Sequence, residues 1–387
     1  MTSPIYLDCH ATTPVDQRVL EQMLPYFCEV YGNPASVTHA YGWGAEAAVK
    51  QARAQVAESI GAEPREIIFT SGATESNNLA IKGVAEAYFA KGRHLVTLQT
   101  EHKAVLDPLS YLETLGFEVT RLSVQGNGLV DLAELAATLR PDTILVSVMA
   151  ANNEIGVLQP LAAIGQLCHD RQVLFHTDAA QAIGKIPLNV QTQKIDLLSL
   201  TAHKIYGPKG IGALYVRRKN PRVQLAPQLH GGGQERGWRS GTLPVPQIVG
   251  LAAALTLALE EQPSESQRLR QLRDRLWQAL QGLEGIHLNG DLSQRLAGNL
   301  NVSFEGVNGQ ALLLALQPDL ALSSGSACTT AKIEPSHVLQ ALGRSLELSQ
   351  ASLRFGLGRF TTPDQIEDAA QITIAAVQQL RQQKPLK

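Results

Sequence analysis

The chain has 387 residues, 44% of them hydrophobic, with a formal net charge of −2 from 33 basic and 35 acidic side chains. That length exceeds what one hydrophobic core fills and predicts two lobes, while the balanced, dispersed charge excludes a polyanion-binding surface, so nucleic acid is not expected as a partner. The opening Met1-Thr-Ser-Pro-Ile-Tyr6 lacks a secretion signal's basic and apolar regions, no apolar run spans a membrane, and the four cysteines lack metal-site or disulfide spacing, which predicts a cytoplasmic protein with reduced thiols and no metal.

In chain order, helical periodicity covers 45–60 and stops at Gly61. Strand-like runs at 67–70, 95–98, 144–148, 173–176, 195–200 and 213–216 then alternate with helical stretches. This alternation predicts an α/β fold with a mostly parallel sheet covered by helices on both faces, and ligands collecting beyond the carboxyl ends of the strands. A helix over 246–261 is followed by Gln262-Pro-Ser-Glu-Ser266, which reads as a break and a domain boundary. Beyond it, helices over 266–280, 309–316 and 363–383 and a strand over 300–304 predict a smaller α+β lobe. The expected domains are 16–262, the large one, and 1–15 with 263–387, the small one.

Two residues at strand ends carry the chemistry. Lys204 follows the 195–200 run in Thr201-Ala-His-Lys-Ile-Tyr-Gly-Pro-Lys-Gly210, and Asp178 closes the 173–176 run in Phe175-His-Thr-Asp-Ala-Ala-Gln181. A lysine can form a Schiff base with pyridoxal phosphate, and a carboxylate can keep the pyridine nitrogen protonated so that the ring accepts electrons. Asp178 could equally cap a helix over 179–183. Thr201 and His203 supply a hydroxyl and an imidazole for phosphate, and Gln181 could reach the ring oxygen.

The turn Ser71-Gly-Ala-Thr-Glu-Ser-Asn-Asn78 opens a helix, and its free backbone amides, with the Thr74 hydroxyl as an added donor, form either a phosphate cradle or an ordinary cap. It matches neither a Walker loop nor a dinucleotide fingerprint. His102 follows another strand, where an imidazole could lie on a pyridine ring and move protons. The glycine-rich stretch 230–244 is a surface connection or a further phosphate contact through Thr242. Arg354, in a strand-like run, suits either a substrate carboxylate or an internal ion pair, with Asn153 as a second contact to substrate or cofactor. Cys328 sits among small polar residues, as a reactive thiol would, whereas Cys28 and Cys168 read as packing residues and Cys9 as structural.

The segments Tyr6-Leu-Asp-Cys-His-Ala-Thr-Thr-Pro14, SGATESNN (71–78), EHKAV (101–105), NNEIG (152–156), HTDAAQ (176–181), TAHKIYGPKG (201–210), RSGTLP (239–244), SSGSACT (323–329) and RFGLGRFT (354–361) occur in the order found in cysteine desulfurases of the IscS/NifS type, which the chain resembles over nearly its whole length. The resemblance implies a fold-type I pyridoxal 5′-phosphate homodimer with a seven-stranded sheet. It implies removal of sulfur from L-cysteine to give L-alanine and an enzyme persulfide, destined for an iron–sulfur scaffold or another sulfur-acceptor protein. By the same resemblance Lys204 is the Schiff-base lysine, His102 stacks on the ring, Asp178 and Gln181 contact its nitrogen and oxygen, and Cys328, on a long mobile loop, accepts sulfur. Ala73, Thr74, Thr201 and His203 would hold cofactor, Thr242 would do so from the neighbouring subunit, and Asn153 and Arg354 would hold the substrate carboxylate. Thr201 stands where many relatives have serine, which keeps the hydroxyl, and the tail to Lys387 is shorter than the one some relatives use in docking a scaffold. Selenocysteine lyase, aminotransferase and a non-catalytic sulfur carrier are the alternatives.

Overall fold

A computed structural model describes residues 3–324 and 335–382. Its centre is a seven-stranded sheet of β1 (Ile67–Thr70), β2 (His94–Leu98), β3 (Glu118–Leu122), β4 (Thr143–Ser147), β5 (Leu174–Asp178), β6 (Leu197–Thr201) and β7 (Gly212–Val216), in the spatial order β1-β7-β6-β5-β4-β2-β3. Only β7 runs against the rest. Successive residues serve opposite cores: Ile67 and Phe69 join one apolar cluster and Ile68 another, and every residue of the inner strands is buried. The exception is β3, Glu-Val-Thr-Arg-Leu, an edge strand with one buried residue. Its polarity hides it from the sequence pattern, which picks out the other six strands.

The helix expected to end at 261 instead continues as Val245–Leu280, with Pro263 inside it, so there is no break at 262–266. Its first half, Val245 to Ala258, packs in the core of the large sheet, and its second half, Leu269 to Leu280, packs in a separate core. Anchored at both ends, the helix tolerates the missing N–H at an exposed turn where water can reach the freed carbonyl.

The second core lines a sheet of β8 (Ile286–Leu288), β9 (Asn299–Phe304), β10 (Ser323–Ser324) and β11 (Ser352–Gly356), in the order β10-β11-β9-β8. The N-terminal pair Ile5–Tyr6 lies parallel to Leu320–Ala321, and Asp8 bridges to Gly356 at the end of β11. The following residues are thereby led from this sheet to the carboxyl edge of the large one. Residues 179–186 form turns rather than the helix considered above. Cys168 is buried, but Cys28 is exposed on the short helix Pro25–Cys28 and is not a packing residue: that four-residue helix buries none of its side chains. No helix among the described residues is long and apolar enough to cross a membrane.

Candidate active site

The carboxyl ends of β1, β5 and β6 open into one cleft of about 740 Å³. It is lined by Ala73, Thr74, His102, Asn153, Asp178, Gln181, Thr201, His203, Lys204 and Arg354. Thus ten of the predicted residues, scattered from 73 to 354, meet in one place. Thr242 is exposed and is not among the residues lining the cleft. Cys328 lies outside the described residues, although Ser323, shortly before it, lines the cleft.

Lys204 leaves the short helical turn that follows β6 and donates from Nζ to the carbonyls of His10 and Ala11, 2.6 Å from each. Burial, Lys185 and Arg354 push its amine down to about 7, against the opposing pull of Asp8 and Asp178. Near neutrality, therefore, much of it is the unprotonated nucleophile. Asp178 is fixed at the end of β5: Asn77 Nδ2 donates to Oδ2 at 2.6 Å and the Ala180 amide to Oδ1 at 2.8 Å. Asn77 keeps a buried Oδ1 without a protein partner.

The Ser71–Thr74 turn shows why a glycine-framed loop is needed here. Gly72 has φ +152°, and a Cβ on Gly212, at the start of β7, would come within 2.7 Å of the Gly72 Cα and 2.4 Å of the Leu200 carbonyl. The turn therefore sits directly on the sheet, and the helix Ala73–Ala87 begins with no side-chain cap. Its first amides and positive dipole end remain available to an anion. Across the cleft, burial, with help from Lys204, Lys209 and Lys185, pushes the His203 imidazole down to about 4. Its Nδ1 lies 3.2 Å from the Thr12 hydroxyl, and the buried Thr201 hydroxyl donates to the Ile211 carbonyl at 3.2 Å. An anion bound among these lysines would reverse part of the depression on His203.

His102 caps the helix Lys103–Thr114, its Nδ1 accepting the Ala104 amide at 3.0 Å. The neutral ring then carries its proton on Nε2. Burial lowers its pKa although the ring is reachable from the cleft; Asp178 opposes that shift and Lys204 adds to it.

For Arg354 the structure shows an internal ion pair, to Asp8 Oδ1 at 2.8 Å, and a bond from Nη1 to the Asn153 carbonyl at 2.9 Å. Its Nε and the Asn153 Oδ1 are buried without partners, so donor and acceptor capacity is left over at the cleft wall. The sequence reading missed Asp8, His10 and Asn77. Asn77 had a usable signal: a polar residue on the same face of its helix as Ile81 and Val84, which are buried.

The class-V aminotransferase family matches residues 5–368. The chain belongs to this family. It is 58% identical to a protein named cysteine desulfurase IscS from Neisseria meningitidis, over 99% of this chain and 95% of that one, and 58% identical to one of the same name from Aeromonas hydrophila, over 100% and 96%. Among solved structures, a NifS-like protein superposes with a TM-score of 0.90 at 38% identity, covering 98% of this chain and 99% of that one. A structure titled SspA in complex with cysteine matches with a TM-score of 0.81 at 39% identity, over 93% and 100%.

Pyridoxal 5′-phosphate is the cofactor of this family and of this chain. The cleft fits it. A depressed lysine amine, a carboxylate fixed by two donors, an uncapped helix start in a cleft that Lys209 and Arg354 also line, and an imidazole at the cleft mouth are the partners that an aldehyde, a pyridine nitrogen, a phosphate and a ring face require.

Proposed function

We propose that the protein is a pyridoxal-phosphate-dependent cysteine desulfurase, converting L-cysteine and the Cys328 thiol into L-alanine and a Cys328 persulfide. The observation that carries this reading is the convergence of Lys204 and Asp178 on one cleft, in a chain 58% identical to proteins named for that activity. When bound, pyridoxal phosphate supplies an electrophilic carbon for an amine and a ring that stores the electron pair released from the substrate Cα–H bond.

The chain's own residues do the rest. Asp178, its charge held in place by Asn77 and the Ala180 amide, keeps the ring nitrogen protonated. Lys204 is basic enough near neutral pH to take the Cα proton and later return one, while His102, with Nε2–H towards the cleft, relays a second. The unpaired Nε of Arg354 and the Asn153 side chain hold the substrate carboxylate. As the Cys328 thiolate bonds to the substrate sulfur, the carbon–sulfur bond breaks. Its electron pair ends, after protonation, in a C–H bond of alanine, so one thiol becomes one persulfide without external oxidant or reductant.

Phe27, Tyr31, Val37, Tyr41 and Trp43 are all exposed within one stretch, 48% to 73% accessible. A large apolar patch of this kind is what a second copy of the chain would cover. A homodimer would also give Thr242, exposed and not lining its own cleft, a role in its neighbour's. The onward acceptor would be an iron–sulfur scaffold or another sulfur-carrying protein.

Incubation with L-cysteine and excess dithiothreitol, which reduces the persulfide and frees its outer sulfur as sulfide, tests the activity: alanine and sulfide should form in equal amounts without a 2-oxo acid. Alanine that appears only with a 2-oxo acid would show an aminotransferase, and alanine formed from selenocysteine but not from cysteine would show a selenocysteine lyase.

A further inference from the structure

Lys185 has no role in the scheme above, yet it connects to both ends of it. Its Nζ donates to Gln181 Oε1 at 3.3 Å, Gln181 Nε2 donates to the His10 carbonyl at 2.8 Å, and that carbonyl also accepts from Lys204 at 2.6 Å. The polarity of this chain is fixed at both ends. An ammonium only donates and a carbonyl only accepts, so turning the Gln181 amide over would set NH₂ against NH₃⁺ and oxygen against oxygen. Gln181 is buried in the cleft wall with one N–H spent on His10, which leaves the other N–H as a donor. Lys185 and Lys204 also line a small shared pocket of about 50 Å³ with His10, whose two ring nitrogens are buried without protein partners. That volume and that lining suit one or two water molecules between the two amines.

We propose that Lys185 is a positioning residue for the reaction, fixing the Gln181 amide with its N–H towards the cofactor and setting a second positive charge behind Lys204. The inference rests on the desulfurase reading. Facing Lys204 are the cations Lys185 and Arg354 and the anions Asp8 and Asp178; burial and the nearby cations keep the rings of His10, His102 and His203 neutral. Facing Lys185 are Cys9, Glu265 and Arg354, and burial lowers its own amine to about 8, so it is charged at neutral pH. Both of its effects favour a deprotonated nitrogen at Lys204 and an anionic ring oxygen.

The test is a pH titration of the visible absorbance of the holoenzyme, which follows the proton between the Lys204 nitrogen and the ring oxygen. Lys185→Met should raise the midpoint by about one unit, the scale on which a single neighbouring charge acts. Lys185→Arg should restore it, and Lys185→Gln serves if the methionine variant does not fold. A midpoint unmoved by the neutral variants, or moved equally by arginine, overturns the inference and leaves the desulfurase reading standing. A wild-type protein that binds no pyridoxal phosphate overturns both.

Discussion

Lys204 is gripped by two backbone carbonyls from the N-terminal segment, so its direction is set before any ligand arrives. Lys204→Ala should take up pyridoxal phosphate only reversibly: after borohydride reduction, no peptide covering 201–210 should carry the cofactor, as the wild-type peptide does. Asp178→Asn removes a charge that two donors hold in place. Losing a charge-assisted hydrogen bond of about 1.5–3 kcal/mol from the developing negative charge should lower kcat by about 10- to 100-fold. An unchanged kcat would mean that the carboxylate only supports the turn. Lys204 and Asp178 were legible in the sequence because each follows an apolar strand and ligand sites collect at such ends. His10 was not, because its importance comes from hydrogen bonds across 171 and 194 residues of chain that no local pattern records, and Lys185, bonded four residues back to Gln181, matters only through that link.

At the scale of elements, the large sheet is stitched across three strands by buried His176, with Ser147 Oγ 2.8 Å from Nδ1 and Ser199 Oγ 3.0 Å from Nε2. Burial pushes this imidazole down to about 3. The folded state therefore refuses a proton that the unfolded chain accepts below about 6.5, so stability is intact above that pH and falls as pH drops, by about 1.4 kcal/mol per unit from this group. His176→Asn should lower stability at pH 7 but flatten its decline towards pH 4.5, as read by urea denaturation across that range; parallel slopes would contradict the assignment. Pro263 offers a second test. Because the helix Val245–Leu280 is continuous, Pro263→Ala should restore one hydrogen bond and raise stability by about 1–2 kcal/mol. A loss of stability would place a true break there. The alternation of strands and helices was legible because each inner strand carries a short apolar stretch buried on both faces of the sheet. The polar edge strand Glu118–Leu122 was not, and neither was the continuity past Pro263, since two separate cores, rather than local propensity, hold that helix.

For the whole molecule, the exposed Tyr31, Tyr41 and Trp43, together with the exposed Thr242 that does not line its own cleft, give one joint expectation. Trp43→Asp should shift the protein from dimer to monomer in sedimentation and weaken cofactor retention with it. Thr242→Val should weaken cofactor retention while the dimer persists. Retention unaffected by either change would mean that each cleft is complete within its own chain. Separate apolar clusters pack against the two larger sheets, with the cleft among the strand ends of the seven-stranded one and Arg354, from the four-stranded one, lining it. The central claim is that this cleft passes sulfur from cysteine to Cys328. After brief exposure of the purified holoenzyme to L-cysteine, mass spectrometry of the peptide containing Cys328 should find it one sulfur atom heavier, the gain vanishing on reduction and absent in Cys328→Ser. An unmodified peptide from protein that is releasing alanine would contradict the account.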